Sequence, residues 1–210
     1  LDKSQAGSIT HTEVTDYKKN TLIKNDNTKI ILGITAHEVY EFIINNKELF
    51  VNNKIQLDPE RWRYRLISLG IPRNKLNEGI DFLNLVIVNA SSSKVLKWII
   101  RNDHRFINTE WDLTSLNPVT GKFVRNIIDC SFIDKDNCRW IIDFKFNKPK
   151  VDESFEKFKS NQIHEYEDQL NNYYNLVRKF DESSNNYVTD TRMCLFFPLI
   201  DEKVEIINKC

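Results

Sequence analysis

The stretch Asn126-Ile-Ile-Asp-Cys-Ser-Phe-Ile-Asp134, followed by Arg139-Trp-Ile-Ile-Asp-Phe-Lys-Phe146, decides how this chain is read. Both runs are rich in Ile and Phe, and the turn-prone Asp134-Lys-Asp-Asn137 separates them, which predicts two β-strands joined by a hairpin. In the second strand a period of two puts Ile141, Asp143 and Lys145 on one face and Ile142, Phe144 and Phe146 on the other. An acid and a base on one face of an otherwise apolar strand are costly unless they act there. If Ile133 lies opposite Arg139, then Asp129 lies opposite Asp143, and cross-strand Cβ atoms stand about 4.5–5.5 Å apart. Facing carboxylates repel, so the pair calls for a cation or a shared proton. A divalent metal on hard oxygen ligands is the natural answer, with Lys145 close enough to act on what the metal binds. One residue more or less in the turn would break this register.

Working outward, Phe106 to Leu116 is an earlier strand, Asn117-Pro-Val-Thr-Gly121 a hairpin turn, and Lys122 to Ile133 the next strand. With Arg139 to Phe146 they form an antiparallel meander. A four-residue loop between Asn117 and Lys122 makes Glu110 face Asp129 as well, a third carboxylate beside the pair. Beyond the connection at 147–152, residues 153–180 read as a long helix. Tyr166, Leu170, Tyr173, Tyr174 and Val177 share one broad face, with Gln169 on its edge. Tyr166 and Tyr174 read as packing residues. A polar loop at 183–186 precedes a strand over Met193–Ile200 and a short last strand near Val204–Ile207.

The first half is helical. Residues 1 to about 28 are polar and read as a linker or entry segment. From Ile30 to Phe50, Ala36, Val39, Tyr40, Ile43 and Ile44 recur at helical spacing, with Gly33 before them and His37 in the first turns. On its own, His37 is more readily a satisfied helix histidine than a ligand. Asp58-Pro59 starts a second helix, which ends at Gly70 and Pro72. It carries Arg61, Arg63 and Arg65, followed by Arg73 and Lys75. These form either a phosphate-contacting patch or a solvated face, and the solvated face is the simpler account. Two more helices follow over 74–90 and 93–102.

Length and composition set bounds. The 210 residues suit one domain with a real core, and 40% hydrophobic with 29% charged residues is ordinary for a globular chain. Lys+Arg and Asp+Glu are both 30, so any nucleic-acid surface must be local. No apolar run approaches the roughly 20 residues of a membrane span. Cys130, Cys138, Cys194 and Cys210 lack the close pairs of a zinc or iron–sulfur site and read as reduced thiols. The chain begins at Leu1 and its only methionine is Met193, which suggests a piece of a longer polypeptide. The few glycines form no phosphate-binding loop.

Taken in order, Gly33-Ile-Thr-Ala-His37, Glu110, Ile128-Asp129, Asp143-Phe-Lys145 and Tyr166-Glu-Asp-Gln169-Leu-Asn-Asn-Tyr173 resemble the motif series of the RecB/AddA-type nuclease domain. That domain belongs to the PD-(D/E)XK superfamily and stands at the C-terminus of bacterial UvrD/Rep-type helicases. Arg192-Met-Cys-Leu-Phe-Phe-Pro-Leu resembles its closing strand. The resemblance spans roughly residues 30–207, and its weight lies in the order of the motifs rather than in any one of them. It departs at Asn126, Cys130 and Phe146, where the family places other residues.

The resemblance implies an α/β (α+β) fold with a restriction-endonuclease-like core: a central mixed sheet, its antiparallel meander flanked by helices, and an N-terminal helical portion. The nuclease domain would fill 29–210, helical over about 29–104 and built of sheet and helix over about 105–210. It further implies that His37, Asp129, Asp143 and the Phe144 carbonyl hold Mg²⁺ or Mn²⁺. Lys145 would orient or help deprotonate the attacking water, Glu110 would support the metal, and Gln169 and Tyr173 would position the DNA backbone or the lysine. In that company His37 becomes a site residue. The implied partners are DNA ends, single- or double-stranded, helicase domains of the same polypeptide and a second helicase–nuclease subunit. The implied setting is the bacterial cytoplasm at the nucleoid, in recombinational repair. The competing expectations are a non-catalytic DNA-binding or docking module with the same fold, and a stand-alone restriction-like endonuclease.

Overall fold

The computed structural model describes residues 27–51, 54–55, 57–116 and 120–207. The expected entry segment therefore lies outside them up to residue 26, as do the tip of the 117–121 turn and Cys210. The fold is α+β: a mixed five-stranded sheet flanked by helices. In chain order the elements are α1 (Thr28–Asn45), β1 (Phe50–Val51), β2 (Lys54–Ile55), α2 (Pro59–Ser68), α3 (Leu76–Ser92) and α4 (Lys94–Ile99). Then come β3 (Arg105–Leu116), β4 (Phe123–Ile133), β5 (Cys138–Phe144), α5 (Phe155–Ser183), β6 (Asp190–Phe197) and β7 (Glu202–Ile206). The large sheet has the order β3-β4-β5-β6-β7, antiparallel throughout except for β5 and β6, which run parallel across the α5 crossover.

The hairpin between β4 and β5 is set by one side chain. Asp134 Oδ1 accepts hydrogen bonds from the backbone N–H groups of Asp136 and Cys138, both 2.9 Å, and Oδ2 accepts from the Trp140 indole at 2.9 Å. Asn137 takes a left-handed φ of 60°, a conformation Asn tolerates better than most residues. Ile133 thereby pairs with Arg139, and the ladder runs to Cys130 and Ile142, so the next pair in register is Asp129 and Asp143. Between β3 and β4, Thr109 pairs with Cys130 and Trp111 with Ile128, which sets Glu110 against Asp129. Both expected registers hold.

Two cores sandwich the sheet. On one face α1–α4 bury Val39, Tyr40, Ile43, Leu66, Leu83 and Leu96 against Phe132, Trp140, Ile142, Phe144 and Phe196. Gly79 permits the close approach of α3, since a Cβ there would stand 2.7 Å from Ile71 Cδ1. On the other face Leu170, Tyr173 and Val177 of α5 cover Ile141, Met193 and Leu195. Strand β5 is therefore buried on both sides.

Some boundaries differ from expectation. Helix α1 contains Gly33 rather than following it, and it stops at Asn45, short of Phe50. Asn46 ends it by donating its side-chain amide to the Phe42 carbonyl at 2.7 Å. A turn of 3₁₀-helix and the β1–β2 hairpin follow, too short to leave a hydrophobic period. Helix α4 ends at Ile99, before the expected residue 102. Strand β6 ends at Phe197 because Pro198 has no N–H to offer the ladder. Asp58 caps α2 as expected, and Ser93 caps α4.

Helix α5 is anchored to β5 by a buried, two-bonded ion pair. Arg139 Nε and Nη2 donate to Asp181 Oδ2 and Oδ1 at 2.9 and 2.5 Å. Arg139 is fully buried and Asp181 nearly so. Removing one partner strands the other charge in the interior, so Asp181→Ala should cost about 3–5 kcal/mol in chemical denaturation. The double variant Arg139→Met/Asp181→Leu should recover most of that loss. A loss below about 1 kcal/mol for Asp181→Ala would show that the pair is not the anchor.

Candidate active site

The site lies where β4 parts from β5. Strand β5 runs on to Phe144, but its ladder to β4 stops at Ile142, leaving the Phe144 N–H and C=O without strand partners. Buried backbone groups must be bonded. Asp129 Oδ2 accepts from the Phe144 N–H at 2.6 Å, and His37 Nε2 meets the Phe144 carbonyl at 3.0 Å. The same His37 nitrogen stands 3.3 Å from Asp129 Oδ2. An α1 side chain, a β4 side chain and a β5 carbonyl thus meet at one point.

The two outer strands turn over at the same level. Ile107 packs with the α1–α4 core and Thr109 accepts from Asn45 of α1, whereas Trp111 and Leu113 pack with α5. On β4, Phe132 and Cys130 face α1–α4, and Ile128 faces α5. The alternation reverses at Glu110 and Asp129, and Glu110 carries a φ of 46° there. A non-glycine residue in this region is strained, and such strain gathers at functional sites.

His37 is held from both ends. Its Nδ1 meets the Gly33 carbonyl at 2.9 Å, one turn back along α1. Carbonyl oxygens only accept, so both ring nitrogens carry protons in this arrangement. Burial opposes a charge on the ring, but the hydrogen bond and charge of Asp129 outweigh it and lift the imidazole from its ordinary 6.5 to about 9.

Asp143 points towards α5, as the period of β5 requires. Its Oδ2 lies 2.6 Å from Lys145 Nζ, and its Oδ1 accepts from Gln169 at 3.3 Å. Burial and the neighbouring Asp129 charge raise its pKa despite Lys145. Glu110 is likewise raised, by burial and by Asp129 and Glu41. Gln169 also donates to the Tyr173 hydroxyl at 2.8 Å. Gln169 therefore bears on Asp143, and Tyr173, which is buried, steadies Gln169.

His37, Glu110, Asp129, Asp143, Lys145, Gln169 and Tyr173 line one cleft of about 580 Å³. One expected packing residue gains a further role here, and two neighbours went unread in the sequence. Lys145 Nζ sits 3.8 Å above the centre of the Tyr166 ring, a cation–π contact that holds the ammonium in place. Tyr166 packs against the core as expected and adds this contact from one turn before Gln169 on the same helix. Glu38 and Glu41 also line the cleft, and Glu41 is the next residue along the His37 ridge of α1. The three described cysteines are free and buried. Burial pushes the Cys138 and Cys194 thiols up to about 12 and that of Cys130 further, so all stay protonated and inert.

Among the described residues, no cluster of three or more His, Cys, Asp or Glu side chains is arranged to hold a metal ion. The donors nonetheless fit one in kind. His37 Nε2, once deprotonated, turns a lone pair towards Asp129 and the Phe144 carbonyl, while the Nδ1–Gly33 bond fixes the ring. Asp143 stands beside them with Lys145 on its Oδ2 and Gln169 on its Oδ1.

The His37 assignment predicts a titration. A folded pKa above the ordinary value stabilises the fold fully below about pH 6.5, and that contribution is lost as pH rises through about 9. NMR of metal-free protein should therefore find His37 titrating near 9, and Asp129→Asn should return it to 6.5 or below, since burial remains. A His37 that titrates near 6.5 with Asp129 intact would refute the contact. No family model matches this chain, and no curated protein matches it.

Proposed function

We propose that this chain is a divalent-metal-dependent deoxyribonuclease of the RecB/AddA type, with a restriction-endonuclease-like core, hydrolysing phosphodiester bonds at DNA ends. The observation that carries the reading is the convergence of His37, Glu110, Asp129, Asp143, Lys145 and Gln169 on one cleft, from α1, β3, β4, the end of β5 and α5. Residues so far apart in sequence meet in the set that the motif order implies.

Mg²⁺ or Mn²⁺ held by His37 Nε2, Asp129, Asp143 and the Phe144 carbonyl would supply the Lewis-acid charge that polarises a phosphodiester. Lys145 contributes an ammonium whose partner is a carboxylate, positioned by the Tyr166 ring to donate to the attacking water or to a phosphate oxygen as charge develops there. Gln169 orients Asp143, Tyr173 orients Gln169, and Glu110 adds an acid beside Asp129. On this reading the domain works beside UvrD/Rep-type helicase domains of the same polypeptide, with a second helicase–nuclease subunit as a further partner. Its setting would be the bacterial cytoplasm at the nucleoid, in recombinational repair.

One observation favours a second reading. Lys145 already neutralises Asp143, one of the acids that would hold a metal, so the fold also suits a DNA-binding or docking module that cleaves nothing. Calorimetry separates the two. The nuclease reading expects heat on Mn²⁺ addition and Mn²⁺- or Mg²⁺-dependent digestion of linear DNA. Asp143→Asn and Lys145→Ala should each lower the cleavage rate at least about 10²-fold while the protein stays folded. DNA binding with no Mn²⁺ heat and no digestion would establish the second reading instead.

A further inference from the structure

A second cleft, of about 590 Å³, opens between α1 and α2 and shares Glu38 and Glu41 with the candidate active site. Its size is within the range of small-ligand pockets. Its floor is aromatic: Phe42 and Trp62 meet edge to face at 6.0 Å, and the Arg61 guanidinium lies 3.8 Å from the centre of the Phe42 ring. Trp62 is buried, and its indole N–H has no hydrogen-bond partner. Tyr64 stands on the rim with 66% of its surface exposed.

The charges on α2 are not alike. Arg63 pairs with Glu60, and Arg65 clasps Glu38 through both carboxylate oxygens, which neutralises the wall between the clefts. For Arg63 and Arg65 the solvated or paired account therefore suffices. Arg61 forms no ion pair among the described residues, and its planar cation is presented on an aromatic ring. A flat cation over an aromatic floor, beside an exposed tyrosine, is a stacking platform, and stacking is how unpaired bases are held whatever their sequence. Asn45 and Glu41 on the α1 wall offer amide and carboxylate groups to base edges.

Resting on the nuclease reading, we propose that this groove is a nucleobase subsite for single-stranded DNA, holding unpaired bases of the strand whose backbone enters the active site. His37 and Asn45 stand two turns apart on α1, about 12 Å along the axis. That is the length of three or four stacked nucleotides at about 3.4 Å each. Bases within a duplex are already stacked and paired, so the groove selects single strands.

Arg61 and Tyr64 are exposed, so Arg61→Gln and Tyr64→Ala should leave the fold intact, checked by an unchanged Tm. Binding is read by fluorescence anisotropy with labelled oligothymidylate and with a blunt DNA hairpin. It is measured in Mg²⁺ on an Asp143→Asn background and again in EDTA. Each variant should weaken oligothymidylate binding roughly ten-fold and leave hairpin binding unchanged. Unchanged oligothymidylate binding, an equal loss on the hairpin, or no oligothymidylate binding by the chain without these substitutions would overturn the proposal. Cleavage of the same oligonucleotide by the unsubstituted chain in Mn²⁺ separates this test from the reading beneath it. Cleavage with variant-insensitive binding removes the subsite and keeps the nuclease. Variant-sensitive binding without cleavage keeps a single-strand groove and removes the nuclease.

Discussion

Phe144 is where the structure commits itself. Its N–H and C=O point at a strand that has already turned away, and in a buried setting both must be bonded. Asp129 takes the N–H and His37 takes the carbonyl, so a carboxylate and an imidazole are drawn to one point by the sheet's own accounting. The hairpin register set by Asp134 delivers Asp129 to that place. The packing of α1 on the sheet delivers His37, with Tyr40 one turn on buried against Phe144 and Phe196. Every other member of the cleft is arranged around this fork.

The electrostatics follow from the same crowding. Glu38, Glu41, Glu110, Asp129 and Asp143 line one cleft, with Lys145 and His37 as the cations facing them. The raised pKa values of Asp143 and Glu110 express that imbalance, and the raised pKa of His37 expresses its other side. Arg65 relieves Glu38 from α2. A cleft so short of positive charge is suited to an added cation, and Lys145 already pairs with one of its carboxylates, Asp143. The Lys145 contact with Tyr166 restrains the ammonium that Asp143 pairs, so the charge reaches a substrate oxygen only in competition with that carboxylate.

Much of this was legible in the residues because it depends on local counting. The loop 134–137 has a composition that closes one hairpin, and the period of two then fixes which of Asp143 and Phe144 turns towards α5. What escaped depends on tertiary detail. The reversal of β3 and β4 at Glu110 has no signature in alternation, since the pattern simply changes phase where the backbone turns left-handed. The end of α1 at Asn45 rests on an Asn46 side-chain bond inside an otherwise continuous helical pattern. Tyr166 does pack against the core, as aromatic residues at helical spacing commonly do, and its contact with Lys145 is what the spacing could not show. Arg61 was indistinguishable from its neighbours until the structure showed which arginines had found carboxylates.

The central claim is that the fork at Phe144 is a divalent-metal centre. A crystal structure of the protein soaked with Mn²⁺, with anomalous data collected at the manganese edge, tests it most directly. The account predicts an anomalous peak bonded to Asp129, Asp143, His37 Nε2 and the Phe144 carbonyl, with Lys145 withdrawn from Asp143. An empty fork at millimolar Mn²⁺, with Lys145 still on Asp143 and His37 still bonded to Phe144, would contradict it.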